Sequence, residues 1–244
     1  MKVPIIFEDE HLLVVNKPAG LLTVPDRYDP GIGNLVHYLG TRYGDPILPV
    51  HRLDRPTSGV VVVARTPAAH KELNRQFRER EVDKIYHALV EGVPAAEEAE
   101  IDEPIGPNPG KSGQMMVTAR GKYALTLYKV MEPIGDQFSL VGVQIFTGRT
   151  HQIRVHLAYI GHPLVVDPFY GKRTEFMLSE IKGRKYRLGK HTHEERPLLN
   201  RVPLHAHRLA FTHPATGERM SFEAERPKDM RAVLNQLRKL VGGG

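Results

Sequence analysis

Apolar positions along the chain fall in short runs rich in Val, Ile and Leu, each bounded by turn formers, which is the pattern of strands rather than long helices. The opening "PIIFEDEHLLVVNKPAG" holds two such runs parted by "EDEH" and predicts a hairpin. "VVVVA" at Val60 to Ala64 predicts a buried strand. Further strands are expected in "KIYHALVEG" (Lys84 to Gly92), "ALTLYKV" (Ala124 to Val130) and "FSLVGVQI" (Phe138 to Ile145), and "LHAHRLAFTHPATGERMSFEAE" predicts a pair turning at "PATGE". Two stretches change period. In "TPAAHKELNRQFREREV", Thr66 is placed as an N-cap, Pro67 as the first helical residue, and Leu73 and Phe77 repeat at i, i+4. "KDMRAVLNQLRKLV" predicts a closing amphipathic helix with Met230, Val233, Leu234, Leu237 and Leu240 on or near one face.

The regular strand–helix alternation of a doubly wound fold is missing, so the expected class is α+β on a mixed, largely antiparallel sheet. Neither a repeat nor a Gly/Ser linker interrupts the chain, and a single domain over 1–244 is expected, ending in a frayed "GGG". The segment 171–203 differs in kind, with nine Lys or Arg against four Glu, and reads as a basic excursion from the core.

At 244 residues and 41% hydrophobic content the chain has the composition of a folded protein. Lys and Arg outnumber Asp and Glu by 34 to 28, a net charge of +6 that suits a polyanion such as nucleic acid. There is no cysteine, which excludes disulfides, thiolate nucleophiles and Cys-ligated zinc and fits a reducing cytoplasm. No stretch approaches the roughly 18 apolar residues of a membrane span, so a cytosolic protein is expected.

Three stretches concentrate polar residues in apolar surroundings. "VHRLDRPTSGV" (Val50 to Val60) sets Asp54 between Arg52 and Arg55. Asp54 is either a turn acid bonded to its own backbone or, in a cleft, a carboxylate kept ionised as nucleophile or base. In "KIYHALVEG" the commoner fate of Tyr86 is a core ring with a satisfied hydroxyl, and the alternative is a ring stacked on a nucleobase. "FTGRTHQIRVHLAYIGHPLVVDPFYG" packs Arg149, His151, Arg154, His156 and His162 into a short span. Zinc is disfavoured, because His151 and His156 are five apart and share neither a helix face nor a strand face. Read as an alternating strand, the stretch puts Gln152, Arg154 and His156 on one face, and Arg154 becomes the inward ion-pair partner of Asp54.

These stretches, in this order, resemble the RluA-type family of RNA pseudouridine synthases. "HRLDRPTSGVVVVA" is similar to the family's aspartate signature, "KIYHALVEG" to its tyrosine motif and "TGRTHQIRVHLAYIGHPLVVD" to its arginine motif. "VVNKPAGLLTVP", "EPIG", "GKYALTLYKV" and "LHAHRLAFTHPATGE" add to the match, which runs from about Phe7 to Met230. Val166 departs from it, standing where the family has glycine before Asp167. No S4 domain is expected before the first motif.

The resemblance implies the pseudouridine synthase fold, with a bent sheet, and an isomerase that breaks the glycosidic bond of a uridine in rRNA or tRNA, turns the base and rejoins C1′ to C5. It implies Asp54, Tyr86 and Arg154 as catalytic residues and Arg52 as the arginine that flips the nucleotide. His51, Arg55, Arg149, Thr150, His151, Gln152 and Ile153 are expected to line the substrate. From the basic segment, Arg184, Lys185 and Arg187, with Lys172, Arg173, Lys182 and Lys190, are expected on phosphates. No cofactor and no metal are expected, and the default is a monomer. The rivals are a non-catalytic RNA-binding protein on the same fold and a histidine-ligated metal hydrolase.

Overall fold

The computed structural model describes residues 2–29, 31–183, 186–188 and 194–241. In chain order the elements are β1 (Ile5–Glu8), β2 (Leu12–Lys17), α1 (Leu35–Tyr43), β3 (Leu48–Pro49), β4 (Ser58–Ala64), α2 (Pro67–Glu79) and β5 (Asp83–Glu91). Next come β6 (Glu98–Asp102), β7 (Ile105–Pro107), β8 (Met115–Val117), β9 (Leu125–Ile134) and β10 (Phe138–Ile145). They are followed by α3 (Gln152–Tyr159), α4 (Leu178–Lys182), β11 (Leu204–Thr212), β12 (Arg219–Glu223) and α5 (Lys228–Val241). The class is α+β, and both predicted helices are present, as is every predicted strand except the one read after Thr150.

Two compact units make up the chain. The first comprises Met1–Tyr86, Gln144–Phe146 and His205–Glu225. Its strands run in the order β1-β2-β4-β11-β5, with β12 beside β11 and β3 beside β4. The β1–β2 hairpin, β2–β4, β3–β4 and β11–β12 are antiparallel, while β4 and β11 are parallel, so the sheet is mixed. All seven residues of β4 are buried, as a strand covered on both faces requires. Helix α2 starts as its sequence predicts, with Thr66 Oγ1 accepting from Ala69 N–H (3.2 Å) and Pro67 in the first turn. It lays Ala69 and Leu73 onto Val60, Val62, Leu209 and Phe211.

The second unit comprises His87–Val143, Thr147–Leu204 and Arg226–Gly244, and its strands run β5-β10-β9-β6, β5 being common to both units. Met230, Val233, Leu234 and Leu237 of α5 pack on Leu89, Phe138, Leu140, Val165 and Val166. Val166 is fully buried in this cluster, which gives its side chain a packing role.

Two expectations are corrected here. The segment 171–203 is not simply an excursion, because Phe176, Ile181 and Leu199 belong to the same core as α5. The stretch after Thr150 is helix α3, not a strand. Gln152 through Leu157 are all buried, polar and apolar alike, so the sequence lacks the period that marks an amphipathic helix.

Candidate active site

In the first unit the segment 51–57 is held from several sides. Leu53 points inward, where its N–H donates to Thr23 Oγ1 (3.1 Å) and its carbonyl accepts from the same hydroxyl (2.9 Å). Gly20 N–H donates to the Arg55 carbonyl (2.8 Å), and Arg55 Nε donates to the Gly20 carbonyl (3.1 Å). Thr57 N–H donates to the Asp54 carbonyl (3.0 Å) and closes a turn that leaves Asp54 half-buried between the exposed Arg52 and Arg55. Thr57 Oγ1, buried in that turn, has no hydrogen-bond partner among the described residues.

Behind this turn stand groups that sequence reasoning did not single out. Ser58 Oγ lies 3.0 Å from His205 Nδ1, and His205 Nε2 lies 3.0 Å from the Ala224 carbonyl. That carbonyl requires a proton on Nε2, which leaves Nδ1 to accept from the serine. Gly59 has φ +121°, and a Cβ there would stand 2.1 Å from the Ala206 carbonyl oxygen. Lys17 is fully buried, its Nζ donating to the carbonyls of Leu21 (2.7 Å) and Pro18 (3.1 Å). The signals were in "TSG", "LHAH" and "NKPAG", polar residues at the ends of apolar strands.

Tyr86 is buried in β5. Burial first, and then the negative charge of Asp54, raise its hydroxyl well above the usual phenol range. The strand thus brings the tyrosine within electrostatic reach of the acid, and the phenol stays protonated at neutral pH. His51 faces inward: its Nε2 accepts from Val62 N–H (3.1 Å) and its ring stacks on Phe77 at 4.7 Å. Burial and the Lys84 ammonium push its pKa down to about 3, so the ring is neutral. That assigns His51 to supporting the segment from behind.

The second unit carries the arginine motif. Arg154 Nε and Nη2 donate to the two carboxylate oxygens of Asp167 (2.8 and 2.7 Å), with 4% and 0% of the side chains exposed. The sequence reading named Asp54 as the partner of Arg154; the carboxylate that takes these two donors is Asp167. The guanidinium also lies 5.3 Å and 5.0 Å from the ring centroids of Phe169 and Tyr170. Asp167 Oδ1 further accepts from the N–H groups of Phe169 and Tyr170 (2.9 and 3.2 Å), which binds this loop to α3.

Gln152 Oε1 accepts from Thr147 Oγ1 (2.8 Å) and Arg149 N–H (3.0 Å), and its Nε2 donates to the Leu125 carbonyl (3.0 Å) and Thr126 Oγ1 (2.9 Å). Gln152 and Ile153 are buried. Arg149 donates from Nε to the Tyr123 carbonyl (2.8 Å), while Thr150 is exposed. His151, at φ +56°, holds its Nδ1 2.8 Å from the Tyr170 hydroxyl.

In the basic segment, Arg173 is spent on Glu91 and Glu180, a correction to its expected phosphate role. Arg187 is exposed, whereas Arg184, Lys185 and Lys190 lie outside the described residues. No group of His, Asp and Glu among the described residues could hold a metal ion, and no described helix is long and apolar enough to cross a membrane.

The profile of a family described as RNA pseudouridylate synthase matches residues 11–159, which include the Asp54 turn, Tyr86 and Arg154. The chain belongs to the RNA pseudouridylate synthase family. As a member it is an isomerase that acts on RNA. It is 40% identical to the dual-specificity RNA pseudouridine synthase RluA of Escherichia coli, over 90% of this chain and 91% of that one. It is 37% identical to the ribosomal large subunit pseudouridine synthase D of Zymomonas mobilis, over 96% of this chain and 72% of that one. Among solved structures it resembles human RNA pseudouridylate synthase domain containing 4, with a TM-score of 0.73 and 27% identity over 96% of this chain and 93% of that one. In this pseudouridylate synthase the resemblance read from three motifs is thus an affinity that runs through the whole chain.

Proposed function

We propose that the chain converts specific uridines of rRNA or tRNA to pseudouridine, with Asp54 as the acid on which turnover depends and the target nucleotide flipped out of its stack. It works as a single catalytic domain without cofactor or metal, as a monomer in the cytoplasm. The observation that carries this reading is the clamped turn that leaves Asp54 half-buried between the exposed Arg52 and Arg55, with the buried Tyr86 within reach of its charge. The reaction needs a carboxylate at the sugar or base and a planar surface against the uracil, and these two side chains are of those kinds.

The base leaves C1′, turns, and rejoins through C5; the C5 proton passes to solvent and N1, freed from the sugar, takes one up, so the atoms balance. Tyr86 supports this as a neutral ring against the base, since its hydroxyl is too weak an acid to be a phenolate at neutral pH. Arg52, exposed two residues before Asp54, fits a flipping role, because a guanidinium stacks on a base and bonds to phosphate together. Arg154 acts through the loop it fixes with Asp167.

The test is tritium release from RNA labelled at C5 of uridine, comparing the wild type with Asp54→Asn. Release by the wild type alone is expected, and fractionating the RNA then separates rRNA from tRNA. Equal release by both proteins would remove Asp54 from the reaction.

A further inference from the structure

The described residues 24–29 and 31–33 belong to a stretch whose two ends meet beside the Asp54 turn. At the outgoing end Thr23 exchanges hydrogen bonds with Leu53, and Gly20 does so with Arg55. At the returning end Leu35 N–H donates to the Leu22 carbonyl (2.8 Å) and Val36 N–H to the Thr23 carbonyl (3.2 Å). A loop closed at its neck in this way is an Ω-like projection, a form that frequently carries function.

Inside the loop the backbone is organised by two aspartates. Asp26 Oδ1 accepts from the N–H groups of Tyr28 (2.8 Å) and Asp29 (3.1 Å), and Asp29 Oδ1 accepts from Gly31 N–H (3.0 Å). These turns spend the acids on backbone donors and push the intervening side chains outward. Tyr28 is 92% exposed, and Arg27 before it is also exposed. The two backbone bonds, and after them the charges of Arg55 and Arg52, lower the Asp26 carboxyl below its ordinary value. The loop therefore stands within electrostatic reach of both arginines that flank Asp54.

A tyrosine with nine-tenths of its surface in water gains nothing from packing, yet the turn displays it next to Arg27, on a loop whose Asp26 feels the charges of Arg55 and Arg52. Protein–protein anchors sit in desolvated pockets with apolar surroundings, whereas the neighbours of Tyr28 in this loop are Asp26, Arg27 and Asp29. An exposed aromatic ring with a cation next to it, on a loop anchored at a basic turn, is instead a feature of surfaces that hold unpaired nucleic acid, the ring on a base and the cations on the backbone. We propose that Tyr28 is a stacking platform for an unpaired base of the substrate RNA adjoining the flipped uridine, with Arg27 on the neighbouring phosphate. This rests on the reading of the chain as a uridine isomerase centred on Asp54, and extends it to a specificity-determining contact outside the catalytic turn.

The chain contains no tryptophan, so Tyr28→Trp installs a single tryptophan, excited selectively over the tyrosines, at an exposed position. Saturating the Tyr28→Trp protein with the rRNA and tRNA fractions is expected to quench its emission. Tyr28→Ala is expected to raise KM for RNA about five- to a hundredfold, the range for loss of one stacked base, while kcat stays within about twofold and Tyr28→Phe behaves as wild type. An unchanged KM in Tyr28→Ala, or tryptophan emission unmoved by saturating RNA, overturns the proposal. If wild-type protein released no tritium, the isomerase reading would fail, whereas the quenching experiment would still decide whether Tyr28 meets RNA.

Discussion

Arg154 donates twice to an Asp167 that has no exposed surface, and this decides how a variant there behaves. Removing one partner of a buried pair leaves the other charge without compensation, at about 3–5 kcal/mol. Arg154→Ala is therefore expected to lower the unfolding free energy by an amount of that order, read as a lower urea midpoint, and any loss of turnover has to be judged against it. Joint replacement, Arg154→Met with Asp167→Leu, should recover part of the loss, since no charge is left stranded. A midpoint unchanged in Arg154→Ala would show that the pair contributes nothing. His51 gives a second expectation at this scale. Its folded pKa is pushed down to about 3 from an ordinary 6.5, so the unfolded chain takes up a proton near pH 6.5 that the folded chain refuses. The stability that follows is complete above pH 6.5 and is lost progressively as the pH falls toward 3. Urea midpoints measured between pH 7.5 and 4 should fall more steeply for the wild type than for His51→Gln; parallel curves would remove His51 from the acid response.

Among the elements, β4 is the most constrained. Gly59 sits at φ +121° with the backbone of Ala206 pressed against it, next to Ser58, which His205 holds. Parallel pairing of Ser58 and Gly59 with His205 and Ala206 is therefore open to glycine and closed to a side chain. Gly59→Ala is expected to yield little folded protein, or protein destabilised by more than about 3 kcal/mol, the high end for point substitutions. Circular dichroism and a urea curve like those of wild type would refute the close approach. Helix α2 and the β1–β2 hairpin could be read from the chain because their signals are local: a cap, a proline, a turn between two apolar runs. Helix α3 could not, because its burial on every side comes from elements far away in sequence, and its left-handed start at His151 uses a residue that sequence rules do not mark.

For the whole molecule, a net charge of +6 implies RNA affinity that depends strongly on salt. If Arg184, Lys185 and Arg187 each meet a phosphate, replacing all three with alanine should flatten the slope of log K against log salt by roughly 2 to 3, at about 0.7–0.9 per contact. Arg173→Ala is the contrasting case. Its guanidinium is held by Glu91 and Glu180, so the variant should lose stability and keep the slope. An unaltered slope in the triple variant would make the segment a solvated surface.

The chain by itself determined the class of fold, eight of the strands, two helices and the identity of the three motifs. Each of these is written in neighbouring residues, whose periodicity, caps and turn formers act over a few positions. Only the tertiary structure decided which charges meet. Asp167 takes Arg154 from 13 residues away, and His205 reaches Ser58 across 147. Thr23 clamps Leu53 over a separation of 30. Such pairings depend on which backbones the sheet and helices bring together and on the exclusion of water around them, and neither is a property of any short stretch of sequence.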